Sequence, residues 1–511
     1  MSRTSSPDLK ATTDLVEDVL PTGAHTNEEF SKQDRDLVHR IDWHLMPWLS
    51  LLYLASFLDR TNVGQARIAG LQADLQMTDA QFNTSLALFF VIYAVFEPIS
   101  NVFIGKIRPN VDKFFVARGI ILWSIVCICQ GLVKDFAGMA AVRWFLGVFE
   151  AGLYPGVAFI LSCFYKKSEF GVRTAIFVAS AAFAGSFGGL LPAAILQMDG
   201  VGGYPGWAWI FIIEGLATFV LGVASFFMVQ DFPETAKFLS EEDRARLFAR
   251  LAEDDRRGDN QQTFKWKYVW DAVSDWKTWT GSITTIGCSG GLYAFSLFLP
   301  TVLRGLGFSV IRTNLLSVAP YAAGALFTIF IGFVSDRLMR RGLIQISTSL
   351  LGVIGFTLLV AHVHPWVKYG GSFLATMGVY PCVPHSLVWI SNNIEGFYKR
   401  GIVFGICIGL ANLQARLALF TARLVETDNS QGVVISYLFP ASDAPAYRAG
   451  NSTALGYVAI GITLGSMLQY VLLSLENRAR RAGKRDARIE NKSEEEIAAL
   501  GDKRPDFFYV L

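Results

Sequence analysis

The chain has 511 residues, 52% hydrophobic and only 17% charged, with a net charge of +2 and a mean hydropathy of +0.38. A soluble domain carries about 25% charged residues, so the deficit and the repeated long apolar runs exclude one and predict an all-α polytopic membrane protein. Near-zero net charge argues against a nucleic-acid partner. The six cysteines lie in apolar runs without zinc-ligand spacing and read as packing residues. No Walker A loop, HExxH, nucleophile elbow or strand-linked GxGxxG occurs, so neither ATP, another cofactor nor enzyme chemistry is expected.

Residues 1–44 read as a polar, disordered cytosolic tail without a signal-peptide core. Because a spanning helix needs ~20 residues, the first six spans are predicted at 45–63, 82–104, 114–133, 138–163, 174–196 and 208–230. A polar linker, 231–278, separates them from spans at 279–301, 314–334, 343–363, 369–391, 402–437 and 452–474. A charged tail, 475–511, follows. The count gives two six-helix bundles, 45–230 and 279–474. Basic residues concentrate in alternate connections: Lys106, Arg108 and Lys113; Lys166, Lys167 and Arg173; Arg337, Arg340 and Arg341; Lys399 and Arg400. The positive-inside rule makes those connections, the linker and both termini cytoplasmic. In the linker, Ser240 and Asp243 are spaced as a capping box that opens a solvated helix.

Span one ends in LDRTNVGQAR, where Asp59 and Arg60 point ~100° apart. They sit either among headgroups or in a cavity. In a cavity, Asp59 would hold a proton and Arg60 would grip a carboxylate. Span two carries Tyr93, Glu97, Pro98 and Asn101, with Glu97 open to a gating, structural or coupling role. Span four holds Arg143 and Glu150 seven residues apart, so they share one face with Gly147 and Tyr154. Gly152 and Gly156 form a close-packing pair, and Pro155 predicts a kink. The face is expected to line a transport path, with a static Arg143–Glu150 pair as the structural alternative. Gly185 and Gly189 form another packing pair in span five, and Glu214 in span six is either a helix anchor or a transport group. Asp336 lies near Arg337, Arg340 and Arg341 at the end of span eight, as a surface ion pair or a gating latch. His385 in span ten is read as a packing residue or a proton relay.

These motifs resemble the major facilitator superfamily, within it the anion:cation symporters and their fungal allantoate permease branch. The resemblance rests on LDRTNVGQAR, EPISN, RWFLGVFEAGLYPG, WAWIFIIEG, DFPETAKFL, FLPTVLRGLGFS, SVAPY, SDR, DAPAYRAG and GDKRPDFFY, in order from about Asp42 to the C-terminus. It implies a monomeric transporter in the plasma membrane, moving a small organic anion with protons by alternating access. Asp59 and Arg60, with Arg143 and Glu150, match the family's span-one and span-four pairs. Carboxylates of these spans couple protons and the span-one Arg handles the anion; Tyr93 and Asn412 match substrate-facing positions. The acidic signature between spans two and three is absent. Span eleven is interrupted at 415–431 by a stretch holding Arg416, Arg423, Glu426 and Asp428, which reads as a translated intron or an insertion that displaces Asn412. The implied substrates are carboxylates such as allantoate, nicotinate or pantothenate. An exporter of an acidic secondary metabolite and a non-transporting nutrient sensor are the competing readings.

Overall fold

The computed structural model describes residues 27–106, 114–188, 190–230, 232–253, 265–305, 310–361, 363–425, 448–490, 492–493, 496–497 and 500–511. Among them are twelve long helical elements and no strand. The first six are α1 (Asn27–Ile68), α2 (Asp79–Lys106), α3 (Phe114–Gln130), α4 (Phe136–Glu150, resuming as Leu153–Phe164), α5 (Phe170–Phe187) and α6 (Gly206–Met228). The second six are α7 (Trp276–Gly305), α8 (Val310–Leu338), α9 (Arg341–Val360), α10 (Pro365–Val379, resuming as Cys382–Asn392), α11 (Phe397–Val425) and α12. The last begins as Arg448–Gly456, widens to π geometry over Tyr457–Leu464 and ends as Gly465–Arg481.

Six of these runs, in α5, α6, α8, α9, α10 and α12, are long and apolar enough to cross a bilayer outright. Shorter apolar runs, Thr84–Glu97 in α2 and Ala117–Gln130 in α3, add to them among the described residues. The α4 break at Ala151–Gly152 follows from Pro155, which has no N–H to donate one turn back. Elsewhere glycines set the packing distance: a Cβ at Gly461 would lie 2.5 Å from Gly287 Cα, so α12 and α7 meet backbone to backbone. The halves meet along two seams, α5 against α8 and α2 against α11.

The expectation of disorder across 1–44 needs correction at its C-terminal part. Helix α1 begins at Asn27. Leu37, Val38 and Ile41 recur at helical spacing and are buried, and they extend the span into the polar region. Ion pairs pin this extension: Arg40 to Asp243 at 2.6 Å and Asp34 to Arg250 at 3.1 Å. Both partners lie on the connector helix Glu241–Glu253. Its capping box forms, with Asp243 N–H donating to Ser240 Oγ at 3.1 Å and Ser240 N–H to Asp243 Oδ2 at 3.4 Å. The first part of the expected tail, 1–26, lies outside the described residues, as do Gly189, Glu426 and Asp428. Helix α11 continues to Val425, and Asn412 sits buried within it.

Candidate substrate and coupling site

The face of α4 that points inward is the one its spacing selects. Met139, Arg143, Leu146, Gly147 and Glu150 are buried, while Trp144 and Phe145 are exposed on the opposite side. Gly147 is required there, because a Cβ would come within 2.7 Å of Phe89 O on α2. That close approach carries Glu150 to the centre of the bundle.

Glu150 pairs with Arg60, not with Arg143. Arg60 Nη2 donates to Glu150 Oε1 at 2.8 Å and Nε to the same oxygen at 3.0 Å. Ser56 Oγ, one turn earlier on α1, donates to it at 2.5 Å. Three donors thus converge on Oε1, while Oε2 is buried without a hydrogen-bond partner among the described residues. The remaining donors of Arg60 are only partly used: Nη1 donates to Tyr293 OH at 3.2 Å. The guanidinium lies 4.8 Å from the Tyr93 ring centroid and 5.7 Å from that of Phe89, within cation–π range. The pair is almost entirely excluded from solvent, with Arg60 8% and Glu150 0% exposed.

Asp59 faces the other way, as a ~100° step on a helix demands. Its Oδ2 accepts from Trp123 Nε1 at 3.1 Å and Thr218 Oγ1 at 3.0 Å, inside the first bundle. Nearby, Asn62 donates to Glu214, so both carboxylates are tied to side chains of their own half. Arg143 is buried with Nε and Nη2 unbonded among the described residues. Seven residues span ~10 Å along a helix axis, so sharing a face with Glu150 does not bring the side chains into contact.

Asn412 bridges the halves. Its Nδ2 donates to Glu97 Oε2 at 3.1 Å, and its Oδ1 accepts from Tyr293 OH at 3.4 Å. A continuous polar path therefore runs from Glu150 through Arg60, Tyr293 and Asn412 to Glu97. Tyr293 and Ser56 were not singled out in the sequence. Each is a lone polar group in an apolar run, a pattern shared with many inert residues.

At the end of the bundle that carries the basic connections, Asp336 of α8 caps α5. Gly171 N–H donates to its Oδ1 at 3.1 Å and Val172 N–H to its Oδ2 at 2.7 Å. First-turn N–H groups lack intrahelical partners and favour an anion. Of the three neighbouring arginines the sequence offers, the cation is Arg341, at 2.6 Å, and Arg337 is exposed. Arg337 is adjacent to Asp336 on an outward helix face, whereas Arg341 begins α9 and folds back. Arg341 also donates to Lys167 O at 2.8 Å across the seam. His385 supports it with Nε2 2.8 Å from Arg341 O, a positioning contact.

A family model described as Major Facilitator Superfamily matches residues 49–413. A Schizosaccharomyces pombe protein named as an uncharacterized transporter is 34% identical over 488 residues, covering 95% of this chain and 92% of its own. The high-affinity nicotinic acid transporter of Saccharomyces cerevisiae is 27% identical over 509 residues, covering 98% of this chain and 88% of its own. In fold, the chain is similar to the proton:xylose symporter XylE bound to 6-bromo-6-deoxy-D-glucose. The TM-score is 0.61 at 12% identity, over 81% of this chain and 95% of that one. The twelve helices in two groups of six, the polar centre between them and these likenesses agree: the chain is a multi-pass membrane protein that belongs to the major facilitator superfamily.

Proposed function

We propose that the chain is a proton-coupled symporter of a small organic monoanion, with Arg60 as the anion-binding residue and Glu150 as the coupling carboxylate. The observation that carries this is the one-sided pair: among the described residues, three donors reach Glu150 Oε1 and none reaches Oε2, while Arg60 keeps N–H donors left over. Without substrate, the buried centre is neutral because Arg60 and Glu150 cancel. A carboxylate can take Arg60 only if Glu150 gives it up, and a proton on Oε2 releases it. Proton and monoanion then enter together, and the buried centre is again neutral. Burying either charge alone costs several kcal/mol, which disfavours the half-loaded states. Tyr93 supplies a ring against the guanidinium. Tyr293 lies against the same group from the second half, with Asn412 bonded behind it, so closure reports occupancy. Arg143 lies on the same face of α4 without contacting Glu150 and takes no part in this exchange, and Asp59 is a second proton position inside the first bundle. Asp336 with Arg341 closes the basic-connection end, with Arg337 outside that contact.

The relative named as a nicotinic acid transporter supports an aromatic or heteroaromatic carboxylate within this class. The reading assigns import across the plasma membrane, by a monomer with both termini in the cytoplasm. Uptake of labelled carboxylates at several external pH values, in a strain lacking its own anion permeases, tests it. Uptake of a monocarboxylate should rise as external pH falls and collapse with a protonophore. Uptake indifferent to both would refute proton coupling.

A further inference from the structure

The seven-residue helix Lys267–Val273, which leads into α7, has two unlike faces. One is docked. Ala272 is fully buried in a cluster with Ile390, Ile402 and Val403, and Tyr268 stacks on Tyr398 with centroids 5.8 Å apart. Its end is tied to α7: Thr278 Oγ1 donates to Ala272 O at 2.7 Å and Trp279 Nε1 to Val273 O at 2.8 Å. The other face is exposed among the described residues. Trp266 and Trp270, one turn apart, are 67% and 70% exposed, beside exposed Lys265 and Lys267. Trp276 and Trp279 continue this aromatic surface onto the first turn of α7, and Ile283 extends it one turn further along the span.

We propose that this face is a membrane-interface anchor: the indoles lie in the headgroup layer at the basic-connection end, and Lys265 and Lys267 meet the phosphates of anionic phospholipids. The patch is continuous with the outer surface of a spanning helix, so the bilayer boundary passes through it. Indoles combine an apolar ring with a donor and collect at that boundary. Lysines on a membrane-adjacent segment add attraction to anionic headgroups. The nearby carboxylate, Asp271, is paired with Lys503 at 3.8 Å. Because the other face is already fixed to α7 and α11, the surface is preformed and needs no folding on contact.

Single nitroxides at positions 266 and 270, in the full chain with Cys129 and Cys163 replaced by Ser, test this in liposomes of phosphatidylcholine with or without phosphatidylserine. A nitroxide at Lys484, an exposed tail position, is the aqueous reference. At 266 and 270, collisions with lipid-soluble oxygen should exceed those with a water-soluble nickel complex, and the order should reverse at 484. Phosphatidylserine should reduce label mobility at 266 and 270, and K265Q/K267Q should remove that lipid dependence. Nickel exposure at 266 and 270 equal to that at 484 would overturn the proposal. So would labels shielded from both reagents, which would mean that a protein segment covers the face.

Discussion

Gly171→Ala probes the contact that closes the basic-connection end. Gly171 N–H lies 3.1 Å from Asp336 Oδ1, with Arg341 2.6 Å from the same oxygen. A Cβ at Gly171 would overlap that oxygen and stand 2.6 Å from Arg341 Nη1. The methyl and the clamped carboxylate cannot both keep their places. Overpacking of this kind costs about 1–3 kcal/mol, and weakening a charge-assisted hydrogen bond adds on the order of 1–2 kcal/mol. The sum, roughly 2–5 kcal/mol, falls on the closed arrangement, because separated halves leave the methyl without a neighbour. That corresponds to a closed-to-open ratio lowered roughly 30- to 5,000-fold. Nitroxides at Lys166 and Arg340, one on each half, read the ratio as a pulsed-dipolar distance distribution. The long-distance population should grow at the expense of the short one. An unchanged distribution in a protein that remains folded would refute the gating role of this contact.

Arg60→Lys keeps the charge but loses the planar fork, so apparent affinity should fall about 10- to 100-fold, and Arg60→Ala should abolish uptake; undiminished uptake by Arg60→Ala at normal surface expression would sink the assignment. Tyr293→Phe removes the donor that links Arg60 and Asn412, and should raise KM about 2- to 10-fold while leaving thermal stability near that of the parent. Asp275, just before α7, lies 3.0 Å from Lys277 Nζ and 2.6 Å from Lys399 Nζ, and this buried cluster should make the purified protein acid-sensitive. Burial works against the Asp275 carboxylate, but Lys277 and Lys399 overcome it and hold its pKa down at about 2. A depressed carboxylate stabilises the fold above its unfolded value of about 4, and the contribution disappears as pH falls toward 2. Its size is on the order of 2 kcal/mol. Thermal unfolding of Asp275→Asn should therefore differ from the parent at pH 6 and converge on it as pH approaches 2; a gap independent of pH would exclude the charge cluster as the cause.

The helical plan was legible because long apolar runs and alternating basic connections report the bilayer directly. The buried face of α4 was legible because a seven-residue spacing fixes direction. Partner choice was not. Arg60 lies next to Asp59 in sequence yet reaches Glu150 on another helix, because adjacent residues diverge while α1 and α4 pack together. The same holds at Asp336: its sequence neighbour Arg337 faces outward, and Arg341 is brought in by the turn into α9. Tyr293 could not have been separated from ordinary core tyrosines without the second half in place. The helical start at Asn27 was hidden because its apolar stripe is narrow within a charged stretch.

The most direct test of the account is Glu150→Gln in proteoliposomes, comparing labelled-substrate exchange with uptake driven by a proton gradient. A glutamine stands in for protonated Glu150, so Arg60 stays free for the anion. Exchange should persist, while gradient-driven accumulation should be lost. Loss of both to the same extent, in a protein that remains folded, would contradict the account and move the coupling role to Asp59.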